Sequence, residues 1–153
     1  MKYIDLSHEL QHGAPVYPGD PPFELSEIYT VLGDGFSDFH LSSGLHVGTH
    51  VDAPGHMLAG GKHLNEYPID QFIGRAVCVD VRDVSVITTM HLQSYNITAG
   101  DIVLLHTRHS LKYGMNNYFT KHPILREDAA EWLATKKPKL LGMDMPGPDF
   151  PPY

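Results

Sequence analysis

The chain has 153 residues, with 11 Lys+Arg against 18 Asp+Glu, 11 His, one Cys and a formal charge of −7. That length fits a single domain, expected to span residues 1–153, with 42% hydrophobic residues to build a core. The acidic balance excludes the basic surface of a nucleic-acid binder, and the lone cysteine excludes both a disulfide framework and a thiolate-only zinc site.

Taken in chain order, the N-terminal MKYIDLSHEL has no apolar stretch of signal-peptide length. No later run approaches the ~20 apolar residues of a membrane span. A cytoplasmic location with no membrane partner is the default expectation. Strands are predicted over Tyr3–Leu6, Phe23–Leu32, Phe39–Ser43 and Leu45–Ala53, which are rich in β-branched and apolar residues. Pro/Gly clusters at Pro15–Pro22 and Pro54–Gly61 read as loops. Pro68–Phe72 fits one helical turn. A further strand is predicted over Arg75–Val81, where Cys78 reads as a buried small hydrophobe. A short helix follows over Thr89–Tyr95, a turn over 96–101 and a strand over Ile102–Thr107. Arg126–Lys136 is the best helix, with Ala129, Ala130, Leu133 and Ala134 at helical spacing and Pro138 beyond its end. The last strand, Lys139–Met143, leads to a Pro/Gly cluster over Pro146–Pro152 and then Tyr153. This order predicts an α/β domain with a mixed β-sheet and few helices rather than a doubly wound sheet. No GxGxxG follows a strand and no P-loop is present, so nucleotide binding has no support.

Charge is distributed unevenly. The first 61 residues hold eight acids (Asp5, Glu9, Asp20, Glu24, Glu27, Asp34, Asp38, Asp52) and one base, Lys2. The remainder holds ten of each sign, so the whole net charge lies N-terminal to Lys62. Five of the eleven histidines fall between His40 and His63 in the same region. Carboxylates and imidazoles concentrated together suit a bound cation.

The informative stretch is His46-Val47-Gly48-Thr49-His50-Val51-Asp52-Ala53-Pro54-Gly55-His56. Every group able to bind a metal stands at an even position: 46, 50, 52 and 56. The alternation reads as a strand with one polar face. A helix would turn Asp52 and His56 away from His46 and His50, and Gly48 and Pro54 oppose it. On a fully extended strand His46 and His50 lie about 13 Å apart, so the backbone must bend for both to reach one ion. Gly48 lies midway and permits that bend, and Pro54-Gly55 turns the chain before His56. Ligands limited to imidazole and carboxylate suit zinc or manganese. A helical HExxH is absent, and Ser42-Ser43-Gly44 does not form a GxSxG nucleophile elbow.

Through His46, Gly48, Thr49, His50, Asp52, Pro54 and His56 the chain matches HxGTHxDxPxH, and so resembles the bacterial kynurenine formamidase-like, or cyclase, family of metal-dependent hydrolases. Ile4-Asp5-Leu6-Ser7-His8, the Pro15–Pro21 loop, Asp101–Thr107 and Leu140–Asp144 extend the likeness over essentially the whole chain. The resemblance implies a swivelling β/β/α domain, a homodimer or higher homo-oligomer, and two zinc or manganese ions in the complete family site. It implies that His46, His50 and Asp52 are metal ligands, with Asp52 able to bridge two ions, and that His56 is the catalytic acid/base. The implied reaction is hydrolysis of an amide C–N bond, as in the formamide of N-formylkynurenine, or opening of a cyclic amide. Pro18 and Phe23 read either as loop residues or as lining for an aromatic substrate. The resemblance also implies a chain that lacks its C-terminal part relative to the family, where a further His and Glu complete the second metal site. His106, His109 and His122 have no spacing that replaces them. Met145-Pro146-Gly147 stands where the family often has a serine. A second reading is therefore a catalytically incomplete metal-binding or regulatory protein of the same fold, holding one ion; a third is an enzyme completed by a partner subunit.

Overall fold

The computed structural model describes residues 2–150; residues 151–153, which end the last Pro/Gly cluster and include Tyr153, lie outside the described residues. The chain divides into two compact units, Met1–Leu64 and Asn65–Tyr153. The division falls three residues after the point where the excess of acids ends.

In the first unit β1 (Glu24–Tyr29) and β2 (Asp38–Ser42) form an antiparallel pair with Leu25 opposite Leu41 and Glu27 opposite Phe39. The register shifts between Glu27 and Tyr29, leaving Ile28 as the extra residue of a bulge. The strand predicted over Phe23–Leu32 stops at Tyr29 because Thr30 caps a helical turn, α1 (Val31–Asp34). The Thr30 hydroxyl accepts from the Gly33 amide at 3.1 Å, and the Thr30 amide donates to Asp34 Oδ2 at 2.9 Å. Gly35, at φ +83°, ends the turn. Those two reciprocal bonds satisfy amides that an extended chain would have had to pair across a sheet. Ala14, Phe23 and Val47 are buried together, with Val16 and Leu25 against them. Tyr3–Leu6 forms no strand, and Tyr3, Ile4 and Leu6 are exposed.

The second unit is built on a parallel sheet of three strands, β3 (Ala76–Asp80), β5 (Ile102–His106) and β7 (Leu140–Met143), in the order β3-β5-β7. Val77 lies opposite Val103, and Val79 opposite Leu105. These residues share the face that packs on Leu92 of α2 (Thr89–Leu92) and on Ala129, Trp132 and Leu133 of α3 (Glu127–Lys136). Cys78 takes the opposite face and is exposed, which corrects the expectation of a buried thiol. Period-two alternation explains it: Val77 and Val79 take the core side and leave Cys78 outside. His106, the last residue of β5, is exposed too, although its strand is apolar.

Two strands of two residues each, β4 (Val86–Ile87) and β6 (Ile124–Leu125), pair in parallel and were not predicted. Neither is long enough to carry a periodic signal. The predicted one-turn helix appears as a 3-10 turn at Ile69–Phe72. Helix α3 ends where Lys137 turns left-handed at φ +52°, immediately before Pro138. The fold is α/β with few helices, as expected. The mixture of strand directions lies between sheets, since each sheet is wholly parallel or wholly antiparallel. No helix among the described residues is long and apolar enough to cross a membrane.

Candidate metal centre

The segment predicted as a strand over Leu45–Ala53 contains no strand; Leu45–Thr49 is a run of bends. The physical reason is Gly48, which takes φ +62°, a left-handed conformation incompatible with continued extension. The alternation therefore fails in part. Val47 is buried, but Leu45 and Val51, expected on the same core face, are exposed. A Cβ at Gly48 would sit 2.5 Å from Leu10 Cδ2, so the N-terminal segment packs directly over this turn. The His8 amide donates to the Thr49 hydroxyl at 3.0 Å and fixes the same segment from its other side.

The bend performs what the extended spacing could not. His46 Nδ1 lies 2.8 Å from Asp52 Oδ1, and His50 Nε2 lies 3.5 Å from the same oxygen. The His46 and His50 rings meet edge to face with centroids 5.3 Å apart. After Asp52 the chain makes a 3-10 turn, Pro54–His56, with Pro at its first position and the His56 amide bonded to the Ala53 carbonyl. This turn brings the His56 ring over His46, with centroids 3.9 Å apart. The Gly55 amide donates to the Lys62 carbonyl at 2.9 Å. A Cβ at Gly61 would lie 2.7 Å from the Pro54 carbonyl carbon, so the loop closes on itself only because glycine stands there.

All four residues singled out from the sequence are thus brought together. His46, His50 and Asp52 each offer one ligand atom, and these atoms lie within 4.8 Å of one another. Donors bonded to one ion at 2.0–2.2 Å in a tetrahedral arrangement stand about 3.4 Å apart, and the two His–Asp separations, 2.8 and 3.5 Å, are of that size. The donor chemistry also fits, since two imidazoles and a carboxylate suit a first-row divalent cation. His50 Nδ1 lies 3.0 Å from the Gly48 carbonyl, which accepts its proton and leaves Nε2, the nitrogen nearer Asp52, with its lone pair. Motif reading assigns Gly48 the role of a bend. Its carbonyl as the partner that orients His50 follows only from the left-handed turn.

A concavity of about 270 Å³ adjoins this segment, lined by Leu10, Phe23, Leu41, Leu45 and Val47 among others. Two of these, Leu45 and Val47, flank His46 in sequence. Phe23 lines it as well as belonging to the small core; Pro18 is not part of the lining.

The histidines considered for a second ion behave differently. His109 and His122 are buried, and their rings are 5.9 Å apart. Each is tied to a backbone carbonyl, His109 Nε2 to Tyr118 at 2.8 Å and His122 Nδ1 to Pro123 at 2.8 Å. Burial lowers the pKa of His109, with Lys112 and His122 adding to the shift against its hydrogen bond to Tyr118. Among the described residues no metal-binding group of three besides His46, His50 and Asp52 comes together.

The family model for cyclases matches residues 4–150. The chain belongs to the cyclase family. A kynurenine formamidase of Bacillus anthracis is 31% identical to this cyclase-family chain over 150 residues, covering 97% of it and 70% of the relative. Two solved structures agree. A predicted metal-dependent hydrolase from Bacillus stearothermophilus is 28% identical with a TM-score of 0.76, covering 95% of this chain and 70% of that one. Isatin hydrolase A from Ralstonia solanacearum is 25% identical with a TM-score of 0.79, covering 96% and 68%. The fold is that of the cyclase family, and the chain is a hydrolase of that family.

Proposed function

We propose that this cyclase-family chain is a cytoplasmic metal-dependent hydrolase of amide C–N bonds. Its substrate is an aryl formamide such as N-formylkynurenine or a cyclic amide on an aromatic ring. Its metal is zinc or manganese, and it works as a homodimer or larger homo-oligomer. The observation that carries the reading is the gathering of His46, His50 and Asp52 donor atoms within 4.8 Å, with the His56 ring against His46. The formamidase and isatin hydrolase relatives supply the substrate classes, both of which place an amide beside a benzene ring. The apolar concavity beside His46 is suited to that ring.

His46, His50 and Asp52 would hold the metal. When bound, a divalent cation polarises an amide carbonyl and makes water a stronger acid. The protein's own residues do the rest. The Gly48 carbonyl holds the proton of His50 on Nδ1, so Nε2 needs no reorganisation to act as a ligand. Asp52 offers a second oxygen beyond the one facing both imidazoles, in keeping with a bridging role. His56 takes the proton of the attacking water on a ring nitrogen and returns it to the amide nitrogen as the C–N bond breaks. Water oxygen joins the carbonyl carbon, the products are a carboxylic acid and an amine, and the histidine is regenerated. Leu10, Phe23 and Leu41 offer an apolar surface to the aromatic side of the substrate.

The test combines metal analysis with turnover. At least one zinc or manganese per chain is expected, with hydrolysis of N-formylkynurenine or isatin that chelation abolishes and metal restores. Bound metal without turnover of either amide would replace this reading with that of a non-catalytic metal-binding protein.

A further inference from the structure

A second concavity, of about 320 Å³, lies within the second unit and uses none of His46, His50, Asp52 and His56. It is formed by the chain as it leaves the carboxyl ends of β3 and β5: Asp83 follows the first, and Thr107, Arg108 and His109 follow the second. Carboxyl ends of parallel strands are where α/β sheets receive ligands.

Three features of its lining point to one ligand chemistry. Arg108, Lys112 and Lys121 all line it, against the single carboxylate of Asp83. None of the three cations belongs to an ion pair among the described residues, whereas Arg75, Arg82 and Arg126 each pair with an aspartate. Asp144, bonded to the adjoining Thr107, is already engaged: it accepts from the Thr107 amide at 2.7 Å, the Thr107 hydroxyl at 2.6 Å and the Ser110 hydroxyl at 3.3 Å. In a chain of net charge −7, unpaired cations converging on a concave surface are a departure.

Backbone strain marks the same place. Among the described residues three that are not glycine have positive φ: Asp83 at 64°, Arg108 at 66° and Lys137 at 52°. Lys137 ends a helix, where that conformation is ordinary. The other two both line this concavity. Left-handed backbone at a non-glycine residue persists only where its surroundings over-determine it, and such positions cluster at ligand sites. Arg108 stands two residues beyond β5, where its left-handed backbone leads into the 3-10 turn His109–Lys112 rather than continuing the strand.

We propose that this concavity is an oxyanion site, in which Arg108, Lys112 and Lys121 bind a phosphate or carboxylate group carried by a small molecule. The guanidinium provides paired donors for two oxygens and the two ammonium groups provide point charges. His109 and His122, each with one nitrogen held by a carbonyl, form the wall on which the group rests.

The experiment is thermal denaturation and isothermal titration of the full chain with inorganic phosphate and, separately, acetate, at constant ionic strength set with chloride. Saturable binding is expected, with phosphate favoured if the natural ligand is a phosphate ester and acetate favoured if it is a carboxylate. Arg108→Gly suits the left-handed backbone, so it should melt no lower than wild type in chloride while weakening the anion at least about tenfold, the loss of one charge-assisted contact. Lys121→Gln, at an exposed position, should weaken binding in the same direction and guards against a folding defect in the first variant. Asp52→Asn should keep the response, which separates this site from anion capture at the metal centre. The proposal is overturned if neither anion saturates, if the variants respond as wild type does, or if Asp52→Asn alone removes binding.

Discussion

Two groups of histidines, one in each unit, are handled in opposite ways. In the first unit His46 and His50 face one carboxylate at an exposed bend, with His56 against His46, and only one of these six imidazole nitrogens is seen held by a backbone carbonyl. In the second, His109 and His122 are buried and each gives a nitrogen to a carbonyl. The residue type is the same and the counts are similar, but one set is exposed beside a carboxylate while the other is buried and built into the fold. The lesson is that a histidine's role is read from what its second nitrogen touches and from whether a carboxylate faces it, and not from its abundance.

The supports beneath the two sets differ as well. The second unit rests its residues on a core of ten buried apolar side chains, from Val79 to Met145. The first has three, Ala14, Phe23 and Val47, and holds its site through turns instead. Substitutions should therefore act through chemistry in one unit and through packing in the other.

The largest effect is expected at Asp52, the oxygen shared by two imidazoles. Asp52→Asn should take turnover to background and bound metal to trace levels by elemental analysis, with melting of the chelated protein nearly unchanged. Retained metal stoichiometry would break the contrast at its centre. Next, His56→Gln should lower turnover by about 10²–10⁴-fold while leaving metal content intact. Loss of metal would instead make His56 a ligand. In the second unit Leu133→Ala, in the middle of the core, should destabilise by about 2–5 kcal/mol in denaturant unfolding, with metal affinity unaffected. Gly48→Ala places a Cβ in a left-handed backbone and against Leu10, a strain of about 1–3 kcal/mol, and should weaken metal binding too because the carbonyl that orients His50 shifts.

The smallest effects are in pH. The folded pKa of His109 is lowered, chiefly by burial, so its unfolded form takes up a proton first as the pH falls through about 6.5. Its contribution to stability is present above that pH and lost below it, and His109→Gln should flatten this acid limb in denaturant titrations. Tyr118, pushed up to about 12 by burial, behaves in the reverse sense. The unfolded phenol ionises first, so stability declines as the pH rises from 10 toward 12, and Tyr118→Phe should remove that decline.

Much of this was legible in the residues. The four site positions, the strands β3, β5 and β7, helix α3 and the acidic character of the first unit all follow from spacing, apolar periodicity and charge. What resisted reading did so for identifiable reasons. Leu45–Ala53 alternates like a strand, yet one left-handed glycine outweighs the pattern, because alternation describes side chains and Gly48 decides the path of the backbone. β4 and β6 exist only because residues 38 positions apart in sequence meet, Val86 with Ile124 and Ile87 with Leu125. Cys78 sits in an apolar run, but the run alternates faces and the cysteine takes the open one.

Sequence alone picked out the candidate donor set, two imidazoles and a carboxylate with a third imidazole following, because ligand chemistry belongs to residue types and their order. It also showed where the chain must bend if His46 and His50 are to share one ion, since their extended spacing is too long. Only the tertiary structure decided how the bend is made and what it produces: a glycine carbonyl that fixes His50, a second ring tilted against His46, and an apolar concavity alongside. Those are distances between groups set by backbone torsions and long-range packing, which no local pattern of residues encodes.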